Sequence, residues 1–269
     1  MSSGSGSKNR GGSARGQAGR PDRNSTRAKI QAQREAEARH KRRRNFLIGG
    51  AAAVVAVAVG VSVALTTGGG GQSVAGNELA PLSTLGTLQP APAPGATGPE
   101  GVAVPAAAPL AGPAATTTGQ SIDGISCQTS EQTLFHIHAH LTIFVNGQAR
   151  QVAAAIGIPG ASATQTPSGS FIGSGTCFYW LHTHAADGII HIESPVQRTF
   201  TLGDFFAEWG QPLSTTQVGA VKGDITALYN GQVYKGNPSS IPLTAHAQIQ
   251  LEVGTPLIAP VSTVFPNGL

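Results

Sequence analysis

The chain has 269 residues, and its charges are divided sharply between the N-terminal segment and the remainder. Residues 1–44 hold 13 of the 17 Lys and Arg residues and three acids, whereas the remaining residues hold four bases and ten acids and carry a net charge of −6. The pI near 9.4 therefore reflects a tail, which argues against a basic nucleic-acid-binding surface on the remainder, and no nucleic-acid partner is expected.

The N-terminal part of the chain is predicted to be a tail followed by a membrane anchor. Residues 1–44 are predicted to be a disordered tail, because their first part lacks the apolar residues that a core requires and their last part ends in basic residues. Residues 46–65 are uncharged and apolar, and a helix of that length spans about 30 Å, the thickness of the hydrocarbon core of a bilayer. A transmembrane helix is therefore predicted over 45–66. Because the basic run at 39–44 precedes it, the tail is expected in the cytoplasm.

A cleavable signal peptide is the alternative interpretation of the apolar run. Its N-terminal region would be unusually long, and no clean small-x-small cleavage site follows the run. The sequence therefore favours an uncleaved, single-pass anchor in the cell membrane with the C-terminal part extracytoplasmic. Residues 67–121 are rich in Gly, Ala, Pro and Thr and are predicted to be a linker that holds the following domain off the membrane.

Residues 122–269 are predicted to form one mainly β domain, either a β-sandwich or a barrel-like fold. Alternating apolar residues indicate strands, and Asn-Gly pairs at 146–147 and 230–231 predict tight hairpin turns between them. One short helix is expected after Thr201, which has Asp204 three residues further on, as in a capping box. Gly210 is expected to end that helix.

Two stretches of the domain place histidines on a single strand face. In Phe135–Val145, His136, His138 and His140 alternate with apolar residues, so all three share one side of a strand. In the second stretch, Asp187-Gly188 predicts a type I′ turn. That turn would place His184 opposite His191 and His182 opposite Glu193.

These two faces predict a transition-metal site. Same-face neighbours on one strand lie about 6.6 Å apart, and directly opposed Cβ atoms about 4.5–5.5 Å apart, so pairs of imidazoles can reach one ion. We expect His182, His184 and His191 with two of the three histidines of the first stretch, and Glu193 as a ligand or as a hydrogen-bond partner of a ligand. Exposed or core histidines without metal, a haem ligand and a pH sensor remain the alternatives.

The donor types narrow the identity of the metal. No Met follows position 1, which excludes a thioether Cu(I) site and an axial-Met copper site. Imidazole ligation favours Cu(II) or Zn(II), and two histidines with one carboxylate also suit Fe(II). The two cysteines, Cys127 and Cys177, are predicted to form a disulfide in an oxidising compartment, with a thiolate ligand or nucleophile as the alternative.

Two resemblances accompany these patterns. Phe135-His136-Ile137-His138 is similar to the copper-binding strand of Cu/Zn superoxide dismutases, β-sandwich proteins with one disulfide, although the glycine-rich zinc loop has no counterpart here. The segments HIHAHLTIFVNG and CFYWLHTHAADGIIHIESP, with FTLGDFFAEWGQPLS and IPLTAHAQIQLEVG, resemble an uncharacterised family of actinobacterial-type, membrane-anchored extracytoplasmic proteins. That likeness implies a location and domain limits, but no activity.

Three functional hypotheses follow from the sequence. The first is a membrane-anchored extracytoplasmic protein that binds copper or zinc through the histidine-lined face. The second is a metalloenzyme, a copper or iron oxidoreductase or a zinc hydrolase, in which Glu193 acts as general base. The third is a non-catalytic envelope scaffold. The partners expected are the membrane, through residues 46–65, and a metal ion.

Overall fold

The computed structural model of the protein describes residue 74 and residues 78–114 and 119–269. The predicted tail at 1–44 and the predicted membrane span at 46–65 lie outside these residues. None of the helices in the described residues has the length and hydropathy needed to cross a bilayer.

The described residues form fifteen strands, one α-helix and two short 3₁₀ helices. The strands are β1 Leu79–Ala80, β2 Cys127–Gln128, β3 Phe135–Val145, β4 Gln148–Arg150, β5 Ser162–Thr166, β6 Gly169–Ser174, β7 Phe178–Tyr179, β8 Leu181–His182, β9 Ile189–Ser194, β10 Leu213–Ser214, β11 Gln217–Val218, β12 Val221–Lys222, β13 Ile225–Tyr229, β14 Gln232–Tyr234 and β15 Gln248–Val253. The helices are α1 Leu202–Glu208 and the 3₁₀ turns Leu82–Leu85 and Pro238–Ser240.

One mixed sheet of eight strands organises the domain. Its order is β1-β14-β13-β15-β3-β9-β8, and β4 pairs with β3 beside this path. β15 and β3 run parallel, and the other pairs in the sheet are antiparallel. The prediction of a mainly β domain is confirmed. Within the residues that the structure describes, the sheet does not close on itself, so the barrel-like alternative is wrong.

The Asn-Gly turns and the capping box that the sequence predicts are both present in the structure. Asn146-Gly147 joins β3 to β4 and Asn230-Gly231 joins β13 to β14, each as a two-residue turn with positive φ at both positions, as a type I′ turn requires. Thr201 caps α1 through its hydroxyl, and the Asp204 carboxylate accepts from the Thr201 backbone, which completes the capping box.

The apolar core lies on one face of the main sheet. β3 contributes Ala139, Leu141 and Ile143 to it, and α1 packs Phe205 and Phe206 there, all of them buried. The alternation that places these residues in the core turns the histidines of β3 to the other face. The sheet thereby separates an apolar side from a polar one.

Residues 78–114 pack along the domain, although their composition predicts a linker. β1 adds to the edge of the main sheet by pairing with β14. Further along, Gln89 and Ile258 form a β-bridge, and Trp209 Nε1 donates to Gly112 O. The segment therefore obtains hydrogen bonds from the domain as well as from its own neighbours, and a composition argument does not detect the bonds to the domain.

The disulfide Cys127–Cys177 is present, as predicted. It joins β2 to the residue before β7, and these two short strands also pair through their backbones. The bridge closes a loop that contains β3, and it leaves no free cysteine in the described residues. A thiolate ligand is therefore excluded in this state of the protein.

Candidate metal site

Three adjacent strands of the main sheet bring the predicted ligands together. β3 pairs with β9 so that His138 lies opposite His191, and His136 lies opposite Glu193. On its other side β9 pairs with β8, where His182 lies opposite His191. Three histidines therefore form a row across three strands, with a fourth histidine and a carboxylate beside them.

The predicted register of the hairpin is wrong by two residues. A turn at 187–188 would place His184 opposite His191, whereas the structure places His182 there. β8 ends at His182, so the connection to β9 runs over residues 183–188. A shift of two residues preserves the face of each side chain, which is why the histidines still lie on the same side.

Residues 183–188 do not continue the pairing of β8 with β9, because the backbone of this loop forms hydrogen bonds with other segments. Thr183 N donates to Ile156 O. Ile172 N donates to His184 O, and His184 Nδ1 donates to Ile172 O in return. These bonds draw His184 towards β6 and away from β9, while its ring still lies 4.5 Å from the ring of His191, centroid to centroid.

The first group of donor atoms comes from β3 and β9. The Nε2 atoms of His136 and His138 are 3.1 Å apart, and His138 Nε2 is 3.1 Å from His191 Nδ1. Glu193 Oε1 lies 3.0 Å from His136 Nε2 and 3.4 Å from His191 Nδ1. These four residues can hold a metal ion.

The second group adds the residues of β8 and its loop. It consists of His182, His184, His191 and Glu193, all buried, with donor atoms within 4.8 Å of one another. His182 Nε2 lies 4.0 Å from Glu193 Oε2. Beside the group, Glu131 Oε1 lies 3.6 Å from His184 Nε2. Both of these separations are wider than the 3.0–3.4 Å separations in the first group.

Hydrogen bonds to the backbone select the nitrogen that each histidine of the second group presents. His182 Nδ1 donates to Tyr179 O, and His184 Nδ1 donates to Ile172 O. Because a carbonyl only accepts, the proton of each neutral ring lies on Nδ1 and the lone pair lies on Nε2. A ring held in this way is the usual arrangement of a metal-binding histidine.

Burial keeps most of these imidazoles neutral. It lowers the pKa of His182 to about 3 and that of His184 to about 4, and it lowers the pKa of His138 well below the usual value. A neutral ring has the lone pair that a metal requires. Glu193 differs: burial opposes its charge, but hydrogen bonds from His136 and His191 hold its pKa well below the usual value, so it is a carboxylate.

Like Glu131, Glu100 is a residue of the site that the sequence analysis did not find. Its Oε1 accepts from His191 Nε2 at 2.7 Å. Burial disfavours a charged His191, yet the charges of Glu100 and Glu193 outweigh it and raise its pKa to about 10. Without metal the ring therefore carries a proton on both nitrogens at neutral pH, and a metal at Nδ1 would replace the proton there. One signal was available, since Glu100 is the single charged residue between Glu78 and Asp123. An isolated charge in a long uncharged stretch indicates a specific partner.

His140 lies outside both groups of donor atoms, although it shares the face of His136 and His138. Its Nε2 donates to the backbone oxygen of Asp187 at 2.9 Å, and Thr263 Oγ1 lies 3.3 Å from its Nδ1. Burial lowers its pKa to about 4. The ring is therefore held by hydrogen bonds within the protein, and the two predicted ligands from β3 are His136 and His138.

The site is thus a buried cluster of five histidines and one glutamate, drawn from three strands and one loop. Comparison with protein families, with curated proteins and with solved structures finds no match to this chain. The donor atoms of the cluster could bind a divalent metal ion.

Proposed function

We propose that the protein is a membrane-anchored, extracytoplasmic protein that binds a divalent transition metal, copper(II) or zinc(II). The observation that supports this proposal is the spacing of the first group, where four distances between donor atoms lie between 3.0 and 3.4 Å. Metal–ligand bonds of about 2.0–2.1 Å in a tetrahedron give donor separations of about 3.3 Å. These four of the six donor separations therefore match the edges of a tetrahedron around one ion, and all six lie within 4.8 Å.

The donor set supports the choice of metal. Three imidazoles and one carboxylate are borderline donors that suit zinc(II) and copper(II), and hard ions such as calcium prefer all-oxygen sites. The disulfide Cys127–Cys177 supports an oxidising compartment, because such bonds persist outside the cytoplasm. The apolar run at 46–65 and the basic residues before it support the anchor.

We assign Glu193 the role of a ligand rather than that of a general base. One of its oxygens contacts two histidines of the first group, and the other faces His182. The carboxylate is buried, and both of its oxygens face histidines of the cluster. Metal binding therefore describes the site better than hydrolysis with this residue as the base.

The test is a metal titration of the purified full chain in detergent, after treatment with a chelator. We expect it to retain zinc(II) or copper(II) through gel filtration and to unfold at a higher temperature with metal than without, since ligands of the folded state stabilise it. His246→Ala is the matched control, because this histidine is exposed and contacts Leu269 O. Wild-type protein that retains no metal would refute the proposal.

A second measurement tests the location. In intact cells that express the full chain, we expect added protease to digest the C-terminal domain and to spare the tail at 1–44. Digestion of neither part before lysis would contradict an extracytoplasmic domain. This outcome would leave the metal site itself untouched, so the two parts of the proposal can fail separately.

A further inference from the structure

The two groups of donor atoms share two residues, His191 and Glu193. The sharing raises the question of how many ions the cluster holds. A nitrogen lone pair binds one ion, whereas the two oxygens of a carboxylate can bind two. The contacts of the two shared residues therefore decide the question.

His191 has only one nitrogen available for a metal. Its Nε2 donates to Glu100 Oε1 at 2.7 Å. Its Nδ1 lies 3.1 Å from His138 Nε2 and 3.4 Å from Glu193 Oε1. Both neighbours belong to the first group, so His191 serves that group, and an imidazolate bridge between two ions is excluded because Nε2 is engaged.

Glu193 divides its oxygens between the groups. Oε1 lies among the donors of the first group, 3.0 Å from His136 Nε2. Oε2 is buried, has no hydrogen-bond partner and lies 4.0 Å from His182 Nε2, which is also buried and without a partner. A buried acceptor without a partner has lost its bonds to water without replacement, which destabilises the folded state, most of all when the acceptor is charged. His182 Nε2 and Glu193 Oε2 are two such acceptors and face each other, and a cation bound between them would satisfy both.

We propose that the cluster holds two divalent transition-metal ions bridged by the carboxylate of Glu193. This inference rests on the proposed function, because it concerns the same residues. The first ion binds His136, His138, His191 and Glu193 Oε1. The second binds His182 Nε2, His184 Nε2 and Glu193 Oε2, and Glu131 near His184 offers a further oxygen. Ions bridged in two-metal sites lie about 3.5–4 Å apart.

The charges near the cluster are compatible with two ions. Glu100, Glu131 and Glu193 each lie against a histidine of the cluster. Three carboxylates offset most of the charge of two dications, which a buried site requires. One dication would leave one excess negative charge and two dications one excess positive charge, so the carboxylates accommodate either number of ions. A single ion in the first group would, however, leave His182 Nε2 and Glu193 Oε2 without partners.

The experiment counts zinc ions on the purified full chain. Chelator-treated protein is titrated with zinc(II), and bound zinc is measured by elemental analysis after gel filtration. We expect two ions per chain in the wild type and in His246→Ala, and one in His182→Ala and in His136→Ala. With copper(II), the wild type should show the half-field EPR transition of two neighbouring ions, and His182→Ala should lack it.

The outcomes separate this inference from the proposed function. One zinc per wild-type chain would overturn the two-ion site and leave metal binding intact, whereas no zinc would overturn both. Two zinc ions on folded His182→Ala would also overturn the inference, as would loss of both ions from that variant. If circular dichroism shows that His182→Ala does not fold, His184→Gln tests the same ion.

Discussion

Glu100 and His191 are 91 residues apart in the chain and are joined by a partly buried hydrogen bond of 2.7 Å between Glu100 Oε1 and His191 Nε2. The bond holds the proton of His191 on Nε2 and turns Nδ1 towards His138 and Glu193. A segment whose composition predicts a linker thereby orients the central histidine of the site. Carboxylates that hold a ligand in this way strengthen metal binding.

Replacement of Glu100 is expected to weaken metal binding without removing a ligand. In Glu100→Ala the ring of His191 loses its acceptor, and we expect the dissociation constant for zinc to rise by about 10–100-fold. Competition with a chromophoric chelator measures the change. Glu78→Ala is the control, since Glu78 belongs to the same segment, its backbone oxygen accepts from Lys235 N, and it lies in neither group of donor atoms. Equal affinity of the two variants would contradict the role of Glu100.

His138 and His140 are expected to respond differently to the same substitution. His138→Ala removes a donor of the first group. Loss of a group that only orients a ligand costs about 10–100-fold in metal affinity, so loss of the ligand itself should cost about 100-fold or more. His140→Ala should bind metal as the wild type does, because His140 contacts Asp187 O and Thr263. It should instead lose about 1 kcal/mol of unfolding free energy with its hydrogen bond.

Calorimetric metal titration and urea unfolding of these two variants measure both effects. The pair is well matched, because both residues are buried histidines on one face of β3. Loss of metal from His140→Ala would show that the ring turns into the site when metal binds. Such a result would contradict the assignment of ligands.

Gly157 is expected to be needed for the position of His182. Its φ is +69°, and a Cβ there would overlap Leu181 O and lie 3.0 Å from His182 Cβ. Gly157→Ala should therefore displace β8 and weaken the binding of metal to the second group. Gly231→Ala is the control, because its φ is +77° and a Cβ there would meet nothing within 4 Å.

The control variant should lose only the cost of a left-handed residue, about 1–2 kcal/mol, and should retain its metal. Thermal unfolding with and without zinc compares the two variants. If Gly157→Ala binds zinc as tightly as Gly231→Ala does, then the backbone near His182 accommodates the methyl group and the prediction fails.

The disulfide is expected to stabilise the fold rather than the metal. Cys127 and Cys177 are 50 residues apart, and the closure of such a loop restricts the unfolded chain by about 4 kcal/mol. The double variant Cys127→Ser/Cys177→Ser should therefore unfold at lower urea concentration. Its metal content should match that of the wild type, because neither sulfur is a donor in either group. Loss of metal from the folded variant would point to a further role of the bridge.

Glu208 is expected to make the protein less stable as the pH rises. It is fully buried. Burial, with the charges of Asp204 and Asp123, raises its pKa well above the usual value, and the Leu181 backbone and the charge of Arg198 only partly offset this. Between about pH 4.5 and the raised pKa, the unfolded chain has lost the proton that the folded chain keeps. Stability therefore falls as pH rises through that range.

Glu208→Gln removes this dependence. At pH 7 we expect the variant to have a higher unfolding free energy than the wild type, and at pH 4 the difference should be smaller or reversed. Urea unfolding at the two pH values, in the presence of chelator, measures it. A difference that does not depend on pH would show that the carboxyl group does not titrate with folding.

Local patterns in the sequence determined the strands, the turns and the polar face. The Asn-Gly pairs require positive φ and therefore form the same tight turn in both hairpins. Alternation of histidines with apolar residues turned His136 and His138 away from the core, whatever partner strand lay beside them. The same period of two explains why a register error of two residues left all the ligands on the correct face.

Only the tertiary structure decided which residues meet in the site. The register of β8 depends on the hydrogen bonds of Thr183 to Ile156 and of His184 to Ile172. No local sequence pattern predicts these bonds. His140 left the cluster because a backbone oxygen in that loop accepts from it. Glu100 joined it across 91 residues. These contacts join residues that are far apart in the sequence, and their formation depends on the tertiary packing of the domain. Spacing and composition therefore cannot predict them.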